Sequence, residues 1–126
     1  MLEKNMKKMK NKKGFTLVEL LVVMTIIMVL TVVGMINYGN ANKKSRDAKR
    51  KSDLESVRVA LEMYRQDNGS YPADEDVLVD DYIKELPEDP QFPTKSYTYV
   101  ISDYEYTLSA DLEIPEGENP YTVTNP

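Results

Sequence analysis

Apolar residues set three successive rhythms along this chain. From Phe15 through Ile36 they are almost continuous. From Ala41 to about Asp67 they return every third or fourth position, at Ala48, Leu54, Val57, Leu61 and Tyr64 with one wider gap. Beyond Ser96 they alternate with polar residues. The first run is about 22 residues, which as a helix reaches roughly 33 Å and matches a bilayer core of about 30 Å. The second is the pattern of an amphipathic helix with one core-facing stripe. The third predicts strands over 96–101 and 104–112, joined by a tight turn at Ser102-Asp103.

The punctuation between these runs fills in the rest. Gly34, Asn37, Gly39 and Asn40 weaken helical propensity, so the spacing predicts one long helix with a soft joint at 34–40. Asn68-Gly69 ends that helix, with Gly suited to a left-handed cap, and Pro72 forces an extended exit. Val79, Tyr82, Ile83 and Leu86 have helical spacing and predict a short helix stopped by Pro87. Tyr121–Thr124 reads as an added edge strand or a loose tail. The fold class is α+β: a long N-terminal helix packed on a small C-terminal antiparallel sheet.

One charge, Glu19, sits inside the first run. A carboxylate in a spanning helix is costly and marks function. Glu19 lies four residues after Phe15, on the same helix face. Before the run stand six Lys against one Glu in residues 1–14. After it, residues 37–70 hold eight basic groups against five acidic, and residues 71–126 hold two against fourteen. Acid therefore collects far from the apolar run. Basic groups flank that run on both sides, so charge alone gives a near tie for its orientation. There is no Cys and no His, which excludes a disulfide framework and removes the usual zinc and His-base chemistries.

Lys-Gly-Phe-Thr-Leu-Val-Glu-Leu-Leu, residues 13–21, resembles the type III signal of type IV pilins and type II secretion pseudopilins. Two further stretches resemble the major pseudopilins. Leu61 to Pro72 resembles Leu-x-x-Tyr-x-x-Asp-Asn-Gly-x-Tyr-Pro, and Leu86-Pro87-Glu88-Asp89-Pro90 resembles Leu-Pro-x-Asp-Pro. Many family members carry a proline near Ile36, and this chain does not. The resemblance implies a pilin fold and cleavage between Gly14 and Phe15 by a prepilin peptidase, with N-methylation of Phe15. It implies that Glu19 pairs with the new N-terminal amine of a neighbouring copy. It also implies a leader on the cytoplasmic side, membrane lipid around the helix before assembly, and an assembly ATPase and inner-membrane platform as partners.

The expected organisation is a cleaved leader over 1–14, a spanning and filament-core helix over 15–36, an amphipathic half over 37–70, and an acidic head over 71–126. The expected function is a structural subunit of a pilus or pseudopilus, assembled with itself and other pilins. The expected location is the cytoplasmic membrane, crossed once, and then an extracellular or periplasmic filament. A secretory signal cut after Gly39-Asn40-Ala41 is disfavoured, since its apolar stretch should be about 7–15 residues. A solitary membrane-anchored binding module is the alternative.

Other chemistry is thin. Ser45 and Lys49 have the spacing of a Ser–Lys dyad, but nothing implies a pocket, and no enzyme is expected. The resemblance implies calcium in a loop after the sheet, but the glycine-rich loop of that site is not matched. The acidic groups Asp74-Glu75-Asp76 and Asp111, Glu113, Glu116 and Glu118 therefore read as a solvated surface, with calcium left open and no other cofactor expected. The basic cluster 43–51 reads as a helix face meeting water or acidic neighbours in a filament, rather than nucleic acid or lipid head groups. The tyrosines of the strands read as core rather than as a ligand-stacking platform.

Overall fold

The computed structural model describes residues 11–126, and the chain divides into two compact units that meet at Asn37/Tyr38. The rest of the leader lies outside the described residues. One helix, α1, covers Leu17–Asn68 without a break. It continues through Gly34, Asn37, Gly39 and Asn40, where the spacing predicts a soft joint. In the first unit, nothing in the apolar stretch of α1 is buried, and it is long and apolar enough to cross a membrane. Its two interior hydroxyls are satisfied within the helix: Thr25 donates to the Leu21 carbonyl at 2.8 Å and Thr31 to the Ile27 carbonyl at 2.7 Å. Such back-bonding leaves no polar hydrogen facing an apolar solvent.

The second unit builds a core. Leu54, Val57, Ala60 and Leu61 of α1 are buried, spaced to share one face. Gly69 ends the helix at φ 81, and its N–H donates to the Arg65 carbonyl at 2.7 Å. This is the left-handed cap that glycine accepts without steric cost. After a 3-10 turn at Glu75–Leu78 come β1 (Thr98–Ser102), β2 (Glu105–Ala110) and β3 (Tyr121–Thr124). They form one antiparallel sheet in the order β1-β2-β3, so the open reading of 121–124 resolves as an edge strand. On β2 the alternate residues Tyr106, Leu108 and Ala110 are buried and share the core with the α1 stripe, Tyr71, Leu78 and Val123.

Four expectations need correction. The stripe does not begin at Ala48, which is exposed; Asp47 and Arg50 are buried there instead. The short helix predicted from Val79 to Leu86 does not form. Asp80 takes φ 75, Asp80 N–H donates to the Ile83 carbonyl at 2.8 Å, and Tyr82 and Ile83 N–H both donate to the Leu78 carbonyl at 3.0 Å. This tight loop makes one turn closed on Leu78 but no continuing helix, and Asp80 tolerates the left-handed region that interrupts it. The hairpin turn is Asp103-Tyr104, not Ser102-Asp103, since Ser102 pairs with Glu105 and Asp103 carries φ 51. Tyr104 is consequently a turn residue, 79% exposed, rather than the first inward residue of β2.

Candidate functional site

Gly14 and Phe15 precede α1 and are exposed, Phe15 at 86%. Thr16 is the residue just before the helix, and Glu19 is its third residue. The two are reciprocally bonded. Thr16 N–H donates to Glu19 Oε2 at 2.8 Å, the Thr16 hydroxyl donates to the same oxygen at 3.0 Å, and Glu19 N–H donates to Thr16 Oγ1 at 3.2 Å. This is a capping box, which satisfies two of the N–H groups that a helix start leaves open. The Thr16-x-x-Glu19 spacing is legible in the sequence, but family resemblance alone does not bring it out. It is also why a carboxylate is tolerated here: the site is at a helix N-terminus, where partial positive charge favours it. Both side-chain bonds fall on Oε2, and among the described residues Oε1 accepts none. Phe15, Val18, Val22 and Val23 line an apolar depression around the carboxylate. The arrangement presents one open acceptor oxygen on an otherwise apolar helix end.

The second compact unit, the head (residues 38–126), contains another charged centre, which the spacing does not reveal. Arg50 is 0% exposed. Its Nε and Nη2 donate to the two Asp89 oxygens at 2.7 and 3.0 Å. Nη1 donates to Asp47 at 2.7 Å and Glu113 at 3.1 Å, and Nη2 also donates to Gln91 Oε1 at 2.9 Å. All five guanidinium hydrogens thereby have acceptors, the condition under which a buried arginine is tolerable. Arg46 adds a two-pronged pair to Glu113 at 2.6 and 2.8 Å. Asp47 accepts the backbone N–H groups of Glu113 and Ile114. The helix is thus tied to the 89–91 turn and to the segment after β2 by charge-assisted bonds.

The protonation preferences follow from those contacts. The bond to Asp89 is the main reason Arg50 is pushed above its already high range, against the opposing effect of burial. Arg46 foremost, and Arg50 after it, pull Glu113 from 4.5 down to about 2. Burial alone would raise Asp47 and Asp89. The N–H groups of Glu113 and Ile114 with Arg50, and Arg50 with the Gln91 N–H, outweigh it and hold both low.

The remaining candidates disperse. Ser45 is exposed, and the Lys49 ammonium donates to Asp53 at 2.7 Å, so the dyad spacing leads to no shared site. Asp74 accepts the Asp76 N–H at 3.1 Å and caps the 3-10 turn. Glu113 is occupied by arginines, and among the described residues no three acidic groups converge to hold a metal. The basic cluster is split, with Arg46 and Arg50 facing acids of their own chain rather than a neighbour's. The tyrosine hydroxyls bond within the head: Tyr97 to Asp53 at 2.6 Å, Tyr99 to the Pro72 carbonyl at 2.7 Å, Tyr71 to Glu62 at 2.8 Å.

Comparison with known proteins gives two family matches. Residues 9–35 match the prokaryotic N-terminal methylation motif, and residues 37–111 match type II secretion system protein G. The chain is similar to the type II secretion system core protein G of Escherichia coli, 35% identical over 115 residues, covering 91% of this chain and 73% of that one. It is similar to the type II secretion system core protein G of Vibrio cholerae, 34% identical over 101 residues, covering 68% and 69%. It is also similar to the type IV wide pilus major component PilA4 of Thermus thermophilus, 37% identical over 84 residues, covering 67% of this chain and 64% of that one. No solved structure matches significantly.

Proposed function

Because this chain belongs to the type II secretion system protein G family, we propose that it is made as a prepilin, cut between Gly14 and Phe15, and N-methylated on Phe15. It is a structural subunit of a pilus or pseudopilus, not an enzyme. Its apolar N-terminal helix suits membrane anchoring, and its family suits an extracellular filament. The finer reading is a single pass through the cytoplasmic membrane, with the leader inside, followed by extraction into a filament of its own copies and other pilins. A prepilin peptidase, an assembly ATPase and an inner-membrane platform would act on it. The sequence regions 1–14, 15–36, 37–70 and 71–126 then correspond to leader, filament core, amphipathic half and acidic head.

The observation that carries this reading is Glu19 with one oxygen open, alone among exposed apolar side chains. Cleavage removes six lysines and creates an α-amine at Phe15, which with a pKa of about 7.7–8.0 is mostly cationic at neutral pH. Moving α1 from lipid to a bundle of like helices exchanges one apolar surrounding for another, so burial gains little. An ammonium from a neighbour on Glu19 would then fix register, because only the correct stagger pairs both charges.

The test is the mass of the mature N-terminal peptide together with Glu19→Val. The expected peptide begins at methylated Phe15. Glu19→Val should insert in the membrane as before and fall to background in the sheared-filament fraction. A product that keeps its leader overturns the prepilin reading. Normal filaments from Glu19→Val overturn the register role. A correctly processed protein found only as single copies beside its machinery favours the solitary anchored module.

A further inference from the structure

The cations of the head sort into two groups. Arg46 and Arg50 are locked on acids, Lys49 on Asp53 and Arg58 on Glu55, while Lys51 lies over the Tyr121 ring, Arg65 donates to the Tyr71 hydroxyl and Lys95 to the Asp111 carbonyl. Lys84 is exposed and stands alone, in no ion pair among the described residues. Lys43 and Lys44, adjacent on α1, are exposed and have no carboxylate in ion-pair range among the described residues. Both ammonium groups are therefore free to meet an anionic surface on another molecule.

The same head carries a matching surface. An open groove of ≈ 800 Å³ runs between α1 and the segment 83–88. Asp53, Glu85 and Glu88 line it against Lys49, and with exposed Lys84 on the same strip acid still exceeds base by one. Glu85 and Glu88 are exposed and pair with no cation among the described residues. Asp53 takes its bonds from Lys49 and Tyr97 on one oxygen, Oδ2, and its Oδ1 accepts none. No buried side-chain oxygen in the described residues lacks a partner, so that free oxygen is open to solvent. Tyr97 holds Asp53 in place, and Pro87 restricts the backbone of the strip between Glu85 and Glu88.

We infer that the Lys43–Lys44 pair of one copy docks in the Asp53–Glu85–Glu88 groove of a second copy. The inference rests on the filament reading and names a head-to-head contact within it. The occupant is a second copy because this adjacent cation pair and the acid-surplus groove lie on the same head but do not meet within it among the described residues. A surface contact of this kind is heterologous, since donor and acceptor are different patches, and in the filament reading its rotation does not close, so it propagates a helical array. It chiefly sets orientation and rejects wrong neighbours.

Charge reversal in the full chain, expressed with its assembly machinery, tests this. Lys43→Glu with Lys44→Glu should lower the sheared-filament yield about tenfold or more, through like charges forced together. Adding Glu85→Lys and Glu88→Lys to that variant should restore the yield. The chain has no Cys, so Lys44→Cys with Glu88→Cys and a short bis-maleimide should give a ladder of multimers, and either Cys alone should not. Thermal melting of each head by circular dichroism separates a misfolded variant from a misassembled one. Filaments with mature Phe15 but no ladder, or a normal yield from the lysine reversal, overturn the contact and leave the filament reading standing. A yield loss in a natively melting head that the acid-to-lysine changes do not rescue also overturns it. Failure of the unsubstituted chain to enter filaments strikes the filament reading itself.

Discussion

The two units of this chain handle charge in opposite ways. The apolar stretch of α1 holds one carboxylate, places it at the helix start and satisfies half of it with Thr16. The head takes an arginine with 0% exposure and surrounds it with three acids and an amide. In the first case the charge keeps a free acceptor and is available to another molecule. In the second every donor is spent inside the chain. The open carboxylate can still gain a partner, whereas the buried arginine has none left to gain and would leave buried acids unpaired if removed.

Breaking the closed centre should have the largest effect. Arg50→Leu leaves Asp47 and Asp89 without their cation and Glu113 with Arg46 alone. Removing one partner from such a buried set costs about 3–5 kcal/mol. The head of that variant should melt well below the parent, and a parent-like melting curve would show that the network is not needed for the fold.

The same truncation in both units sharpens the contrast. Leu61 is fully buried, and Leu61→Ala should destabilise the head by about 2–5 kcal/mol. Leu30 is 65% exposed, and Leu30→Ala should leave head melting unchanged. Urea unfolding followed by tyrosine fluorescence reads both. An equal loss from the two variants would mean that the apolar stretch also stabilises the head.

Acid should loosen the head by a smaller amount. Asp47, Asp89 and Glu113 all have folded-state pKa values below their ordinary ones. The unfolded chain therefore binds more protons across that interval, and stability falls as pH falls. For Glu113 the window runs from 4.5 down to about 2. Urea midpoints measured from about pH 6 to about pH 2.5 should decline mainly below the ordinary carboxylate range, and the decline should shrink in Glu113→Gln. A decline centred near neutrality would point to other groups.

The smallest effect is expected at the surface. Arg58 pairs with Glu55 at 3.3 Å with both side chains more than a third exposed. Arg58→Ala should change head stability by no more than about 0–1 kcal/mol, since solvent screens such pairs. A larger loss would show that side chains on this face do more than their geometry indicates.

Short-range pattern was enough for the apolar run, the α1 core stripe, the Asn68-Gly69 stop and the two main strands. Each depends on a period of about 2 or 3.6, or on the backbone freedom of one residue, and these are properties of neighbours in sequence. Glu19 was equally visible, because a single acid in an apolar run needs no fold to stand out; the cut between Gly14 and Phe15 is implied by the resemblance alone. The charged centre of the head was not legible. Lys43 to Lys51 reads as one solvated basic face, yet Arg50 turns inward while Lys43 and Lys44 remain outside. What separates them is the arrival of Asp89 and Glu113, 39 and 63 residues further along the chain. The turn after Leu78 and the Asp103-Tyr104 hairpin were missed for a related reason: register and loop closure are fixed by what the flanking segments pack against. Local periodicity states which residues prefer burial. Only the folded chain brings together the partners that allow a charge to be buried.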